Sequence, residues 1–144
     1  SMGVTFNTPP SSGSPPTGRC IILVTPDAQR TMNTYLGASV ELDENDIDQA
    51  LIQSGAITYL EGYLFDKEKA KKAFYKAAEY AHAAGRKVAL TLSDPFCVAR
   101  HREDFLKLVE EHVDILFANE EEIKSLYQKN TFEEAADEIS AHCE

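Results

Sequence analysis

The 144-residue sequence lacks the glycine-rich loops with which many proteins bind the phosphates of a nucleotide. No two of its seven glycines lie closer than five positions apart, so the GxGxxG fingerprint of dinucleotide-binding folds is excluded. Gly13 and Gly18 have the spacing of a P-loop, but Arg19 and Cys20 follow where that motif needs Lys and then Ser or Thr. GxSxG and HExxH strings are absent too. Any phosphate-binding site in this chain must therefore be built without these motifs.

Cysteines and long apolar segments are also scarce. Cys20, Cys97 and Cys143 form no Cys-x-x-Cys pair and have no histidine at zinc-ligand spacing, so we expect reduced thiols. No apolar run approaches the roughly 18 residues of a membrane-spanning helix, and no charged and then apolar leader precedes a cleavage site. These features predict a globular cytoplasmic protein.

Positive charge is scarce in the last third of the chain. The net charge is -10, and residues 101–144 carry 13 acidic and 4 basic side chains, whereas residues 1–100 carry 11 and 10. Such a segment repels phosphate backbones and anionic lipid surfaces, so we expect neither nucleic acid nor membrane as a partner.

The first part of the chain divides into two segments. Ser1 and Met2 are typical of a residual expression tag, and four of the six prolines lie within residues 8–18, so we expect residues 1–18 to be flexible. An apolar run from Cys20, a Pro-Asp turn and an alternating run from Arg30 predict a β-hairpin over residues 19–38.

Residues 39–144 alternate helix and strand signals. Alanines and Phe74 at i, i+3, i+4 spacing predict a helix that follows Asp66 and ends at Gly85. The other predicted elements are buried strands in AITYLEGY, KVALTLS and VDILFA, helices from Asp43 to about Ser54, 102–112, 119–127 and 131–142, and a loop over 93–100. This order predicts the α/β class: a Rossmann-like, three-layer parallel sheet with a β-hairpin element.

Ligands of open parallel sheets bind beyond the carboxyl ends of the strands. Three places there carry polar residues: Gly62-Tyr63, Asp94-Pro95 and the segment from Asn119 to Glu122. Asn119 and Glu122 can reach over the same helix start and could hold a hydrated magnesium ion, directly or through water, beside a phosphate. The alternative is structural, because Asn is a favoured N-cap and acidic residues favour the first helical turn.

Two further candidates also have a structural alternative. Asp94 could act as a base or lie beside a metal, but Asp-Pro after a strand is also a common turn. Arg30 lies just past the hairpin turn, where a mobile cation could close on a phosphate, or it could simply be an exposed arginine.

Four strings in order resemble the PfkB or ribokinase-like carbohydrate and nucleoside kinases, most closely their adenosine-kinase-like bacterial branch. They are TGRCIILVTPDAQRTMNTYLGA (17–38), YLEGYLFD (59–66), LSDPFCVARHREDF (92–105) and DILFANEEEI (114–123). The resemblance implies a partial ribokinase-like fold, with residues 19–38 in a β-lid and 39–144 in the central part of the α/β domain. The implied reaction is transfer of the γ-phosphate of ATP, with Mg²⁺, to a hydroxyl of a sugar or nucleoside.

The resemblance also implies roles for the candidate residues. Asn119 and Glu122 match the N-x-x-E motif, which helps to place magnesium and the phosphates, with the metal bound through water. Arg30 resembles a lid arginine that reaches the transferring phosphate. Asp94 lies where family members place loop residues near the phosphates.

The chain departs from the family pattern in two respects. The G-A-G-D string that supplies the catalytic base is absent from these 144 residues, as is the glycine-rich substrate region expected before the lid. We therefore expect a central fragment of a kinase that is inactive by itself. The alternative is a stand-alone, non-catalytic binding or interaction domain of the same fold, and a homodimer through the lid hairpin or an exposed sheet edge would fit both.

Overall fold

The computed structural model describes residues 3–13 and 15–143. The expected tag residues Ser1 and Met2 lie outside this range, as does Ser14 within the segment expected to be flexible. The described chain forms two compact units, which divide between Leu42 and Asp43. Across both units, none of the described helices combines the length and apolarity needed to cross a bilayer.

The first unit is an antiparallel hairpin. Strand β1 (Thr17–Val24) pairs with β2 (Arg30–Gly37), followed by a 3₁₀ turn at Ala38–Glu41. The connecting turn is closed by the backbone bond from the Thr25 N–H to the Gln29 carbonyl, 3.0 Å long. The predicted hairpin is thus confirmed, and every residue of β1 is exposed.

The second unit is built on a parallel sheet of three strands in the order β3-β4-β5. These are β3 (Ile57–Glu61), β4 (Lys87–Thr91) and β5 (Ile115–Phe117). The helices are α1 (Gln49–Ser54), α2 (Glu68–Ala83), α3 (Pro95–Arg100), α4 (Arg102–His112), α5 (Glu120–Tyr127) and α6 (Phe132–Ile139). The α/β class, with a parallel sheet and an antiparallel hairpin, is confirmed.

Helix α2 provides much of the core because its small residues allow close packing. The predicted alanines and Phe74 are buried, and the helix packs on β3 and β4. Phe65 stacks on Phe105 with ring centroids 4.3 Å apart, and both side chains are fully buried. Gly85 ends this region in the left-handed conformation, with φ at 66°.

Two predicted boundaries are wrong for the same physical reason. The helix expected from Asp43 is broken: a 3₁₀ turn at Glu44–Asp46 comes first, and α1 begins only after Asp48. The loop expected over residues 93–100 contains α3. In both places an aspartate side chain accepts hydrogen bonds from backbone N–H groups and starts a new helical turn. The hydrophobic pattern of the sequence does not reveal such caps.

The strands β3 and β5 are less buried than predicted. Along β3 the side chains alternate, so that Thr58 and Leu60 are buried and Ile57 and Tyr59 are more than half exposed. Phe117 at the end of β5 is also more than half exposed. One face of the sheet is therefore covered and the other is open.

Asp114 links the beginnings of β4 and β5 to the end of α2. Its carboxylate accepts the Val88 N–H at 2.7 Å and lies 2.9 Å from Nε2 of His82. Partial burial alone would raise the pKa of Asp114, but these bonds lower it below its usual value. A carboxyl group whose pKa is lower in the folded chain than in the unfolded chain stabilises the fold at pH values above its unfolded-state pKa. This stabilisation is lost as the pH falls through its folded-state pKa.

The Asp114→Asn variant should therefore be less stable than the parent chain at pH 7 and should lose less stability between about pH 5 and pH 2. Thermal unfolding followed by circular dichroism across this pH range measures both effects. Asp137→Asn on α6 removes the same charge from a side chain without these bonds and serves as the control. Parallel pH profiles for the parent and Asp114→Asn would contradict this assignment.

Gly62 permits the close approach of the ends of β3 and β4. A Cβ at this position would lie 2.5 Å from the Thr91 carbonyl oxygen and 2.7 Å from that of Leu92. Both atoms belong to the backbone, so they cannot move aside without displacing a strand.

The Gly62→Ala variant should lower the free energy of unfolding by about 2–4 kcal/mol, because the added methyl group separates these strand ends. Urea denaturation measures the change. Gly55→Ala is the matched control, since the nearest atom to its added Cβ lies 3.5 Å away. A loss for Gly62→Ala no larger than that for Gly55→Ala would disprove the packing argument.

Candidate functional site

The carboxyl ends of the three parallel strands meet at one edge of the second unit. The parallel pairing aligns Glu61 with Thr91 and Thr91 with Phe117. The backbone continues the alignment past the strands, because the Leu92 N–H donates to the Phe117 carbonyl at 3.1 Å. The residues that follow each strand are thereby brought together, and the candidates Asp94, Asn119 and Glu122 are among them.

One tyrosine at this edge is affected by carboxylates from all three strand ends. Burial raises the pKa of Tyr63, and the negative charges of Asp94, Glu61 and Glu122 raise it further. One phenol therefore lies within electrostatic range of an acidic group from each of the three strand ends. The edge is negatively charged around a partly exposed aromatic ring.

Asn119 and Glu122 form a capping box at the start of α5. The Asn119 Oδ1 accepts the Glu122 N–H at 2.9 Å, while the Glu122 carboxylate accepts the Asn119 N–H at 3.0 Å and its Nδ2–H at 2.8 Å. Glu122 is only 6% exposed. Asn119 and Glu122 thus cap the helix, which is the alternative role that the sequence suggested for them. The capping bonds hold both side chains in fixed positions at the edge.

Asp94 caps α3 from the neighbouring strand. Its Oδ1 accepts the N–H groups of Phe96 at 2.6 Å and of Cys97 at 3.3 Å, and Pro95 occupies the first helical position. Burial raises the pKa of the Cys97 thiol to about 11, so that it stays protonated at neutral pH.

Ser93 and Glu61 form a contact that the sequence interpretation did not include. The Ser93 hydroxyl donates to the Glu61 carboxylate, and Ser93 has a φ of 70°, which is uncommon for a residue other than glycine. Inspection of the last residue of each strand would have identified Glu61. Nothing in the sequence indicates the backbone conformation of Ser93.

Arg30 is the first residue of β2 and lies opposite Val24 in the hairpin register. It is exposed and belongs to the first unit, whereas Asp94, Asn119 and Glu122 belong to the second. Its contact with a phosphate stays a prediction.

The edge fits a magnesium ion that is held through its water ligands. Among residues 3–13 and 15–143, no set of three or more His, Cys, Asp or Glu side chains is arranged to hold a metal ion. Both oxygens of Glu122 already accept hydrogen bonds from Asn119. Mg²⁺ retains several of its water ligands in most proteins, and the side chains of Asn119 and Glu122 fit contacts to those waters.

The comparisons identify the family. The model of the pfkB family of carbohydrate kinases matches residues 2–143. The chain belongs to this family. No curated protein matches it.

Two solved structures are each 48% identical to this PfkB-family chain with a TM-score of 0.92: a probable sugar kinase from Rhizobium etli CFN 42 and the adenosine kinase from Sinorhizobium meliloti. In both cases the match covers 98% of this chain and 43% of the other. The Anopheles gambiae adenosine kinase, in complex with P1,P4-di(adenosine-5) tetraphosphate, is 28% identical over 88% of this chain and 39% of its own, with a TM-score of 0.75. The PfkB-family chain therefore spans less than half the length of these relatives and has the fold of a sugar or nucleoside kinase.

The capping box of α5 should contribute more stability than the equivalent box of α6. Thr131 and Glu134 form the same motif, but Glu134 is exposed. Glu122→Ala removes two bonds from a buried site, and we expect it to cost about 1–3 kcal/mol. Glu134→Ala should cost only a few tenths of a kcal/mol, or about 0.5 at most. Urea denaturation of both variants measures the difference, and equal losses would show that burial adds nothing to the Asn119–Glu122 box.

Proposed function

We propose that this chain is part of an ATP-dependent kinase that transfers the γ-phosphate to a hydroxyl of a sugar or nucleoside. The observation that carries the proposal is the convergence of three strand-end carboxylates at one edge of a PfkB-family sheet. Family membership and the kinase relatives support the reaction class. The substrate, the ATP donor, the Mg²⁺ and a cytoplasmic location are parts of the proposal, and nucleic acid and membranes are not among the proposed partners.

Phosphates approaching this edge would meet negative charge from Glu61, Asp94 and Glu122. Magnesium supplies the positive charge that lets a triphosphate bind beside these groups. In this proposal Asn119 and Glu122 hold the waters of the metal, and their mutual hydrogen bonds keep both groups oriented before the ligand arrives. Preorganisation of this kind avoids ordering two side chains at the moment of binding.

Asp94 and Arg30 have different proposed roles. Asp94 fixes the start of α3 at the edge, beside the phosphates, through its bonds to two backbone N–H groups. The guanidinium of Arg30 would contact the transferring phosphate. Arginine suits this role because its planar guanidinium can donate two parallel hydrogen bonds to phosphate oxygens. The proposal that Arg30 contacts phosphate rests on the resemblance of its segment to the lid of these kinases.

The 144-residue chain should bind magnesium and nucleotide without transferring phosphate. A general base contributes about 10²- to 10⁴-fold to such a rate, and these residues contain no G-A-G-D string to provide it. We also propose that pairing of two copies through the hairpin or a sheet edge is compatible with this role.

Binding can be tested with Mn²⁺·ADP as a paramagnetic probe of the backbone amides. We expect broadening of the signals of residues 94 and 119–122, and an affinity reduced about tenfold in Glu122→Gln because the carboxylate charge is lost. Glu134→Gln makes the same change at the exposed capping box of α6 and should bind like the parent chain. Circular dichroism of each variant shows that the fold is retained.

A turnover assay with Mg²⁺·ATP and ribose, fructose, inosine or adenosine accompanies the binding experiment. No transfer, together with localised broadening, supports a binding-competent part of a kinase. Transfer by the 144 residues alone would overturn the proposed inactivity and would make Asp94 the first base to test. Broadening elsewhere, with none at residues 94 and 119–122, would overturn the proposed site.

A further inference from the structure

A strained turn connects β4 to α3 at the edge where the strands end. The Asp94 N–H donates to the Leu92 carbonyl at 2.9 Å, so residues 92–94 form a three-residue γ-turn with Ser93 at its centre. Ser93 has a φ of 70°, and a γ-turn with a positive φ is the rare and strained form. Glycine adopts a positive φ without a steric penalty, so the backbone conformation alone does not explain a serine at this position.

The hydroxyl of Ser93 explains the choice of residue. It donates to the Glu61 carboxylate and lies 3.3 Å from the Thr91 carbonyl oxygen. A hydrogen bond to an ionised carboxylate is stronger than one to a neutral acceptor. Ser93 therefore turns the chain after β4 and also binds the last residue of β3, whereas glycine could do only the first.

The same turn leads directly into the contacts that join α3 to α5. Asp94, the residue after Ser93, caps α3. The hydroxyl of Ser125 on α5 donates to the Pro95 carbonyl at 3.3 Å, which ties the start of α3 to the helix that carries the Asn–Glu capping box. The direction in which the chain leaves the turn therefore sets the distance between the Asp94 carboxylate and that capping box.

Tyr63 is sensitive to the arrangement of the charges at this edge. Burial raises the pKa of Tyr63, and the negative charges of Asp94, Glu61 and Glu122 raise it further, with Cys97 adding to the effect. Two of these three carboxylates belong to residues that the γ-turn holds. Glu61 accepts the hydrogen bond of its central residue, and Asp94 follows that residue in the chain.

We propose that Ser93 is a positioning residue of this edge: it holds the Glu61 carboxylate and directs Asp94, so that the charges stand in a fixed arrangement before magnesium and nucleotide bind. Strained backbone conformations persist where the surrounding contacts hold them, and they are concentrated at functional sites. A fixed arrangement also avoids ordering several side chains during binding. This inference rests on the proposed function and adds to it a residue that touches neither ligand.

Two substitutions separate the hydroxyl of Ser93 from its backbone conformation. Ser93→Gly keeps the conformation and removes the donor, whereas Ser93→Asn should keep both, because asparagine tolerates a positive φ and its side-chain amide donates hydrogen bonds. Gln128→Gly is the control. Gln128 has a φ of 52° at the opposite end of α5 from the capping box, so glycine relieves a similar strain away from the edge.

The titration of the Tyr63 phenol, followed by NMR of labelled tyrosine rings, measures the arrangement without any nucleotide. We expect the ionisation constant of Tyr63 to rise about twofold or more in Ser93→Gly, because the released carboxylates turn toward solvent, where their charges are screened. Ser93→Asn and Gln128→Gly should keep the parent value. Burial and two acidic side chains of α4 raise the pKa of Tyr75, so its phenol serves as an internal reference. Circular dichroism over the same pH range checks that each variant is folded.

The Mn²⁺·ADP experiment then measures the consequence for binding. The affinity should fall about threefold to tenfold in Ser93→Gly, and the broadening at residue 94 should weaken relative to that at residues 119–122. Ser93→Asn and Gln128→Gly should bind like the parent chain. A serine with a merely structural role would leave binding by Ser93→Gly unchanged, since glycine suits this backbone conformation better.

An unchanged ionisation constant of Tyr63 in Ser93→Gly would overturn the inference, as would an unchanged affinity for Mn²⁺·ADP. Equal changes in Ser93→Gly and Ser93→Asn would also overturn it, because they would show that the hydrogen-bond donor is not responsible. A parent chain that does not bind Mn²⁺·ADP would instead overturn the proposed function. The titration of Tyr63 would still decide whether Ser93 positions the edge, so the two failures are distinguishable.

Discussion

The geometry of the second unit depends on the contact between the backbone at Gly62 and the end of β4. No side chain larger than hydrogen fits between Gly62 and the carbonyl groups of Thr91 and Leu92. With the two strand ends this close, the Ser93 hydroxyl reaches Glu61, and the Cys97 Sγ lies 3.5 Å from the Gly62 carbonyl oxygen. One short backbone approach thus holds the first two strand ends and α3 together.

Helix caps supply most of the polar groups at this edge. A parallel strand that leads into a helix leaves the first N–H groups of that helix without partners, and a short polar side chain there satisfies them. Asp94 and Asn119 do so for α3 and α5, and Glu122 completes the second cap. The same side chains therefore stabilise the helices and line the edge proposed to bind the ligand, so the motif and the helix caps at Asn119 and Glu122 involve the same groups.

Several elements were predictable because their signals are local. The alanine spacing of α2 and the glycine after it each depend on residues within a few positions, and the structure confirms them. The start of α1 and the helix α3 were mispredicted because competition between aspartate caps and an apolar pattern is decided by small energy differences. The Ser93–Glu61 contact joins residues 32 positions apart, and no local signal encodes it.

The amino-acid sequence alone determined the α/β class, the hairpin, the kinase family and the positions of Asp94, Asn119 and Glu122 at strand ends. These follow from periodicity, turn chemistry and short motifs, which act between residues near in sequence. Only the tertiary structure decided that Glu122 is buried with both oxygens occupied, that Glu61 and Tyr63 share the edge, and that one face of the sheet is open. Each of these depends on strand register and on packing between distant segments, and such contacts exist only once the chain has folded.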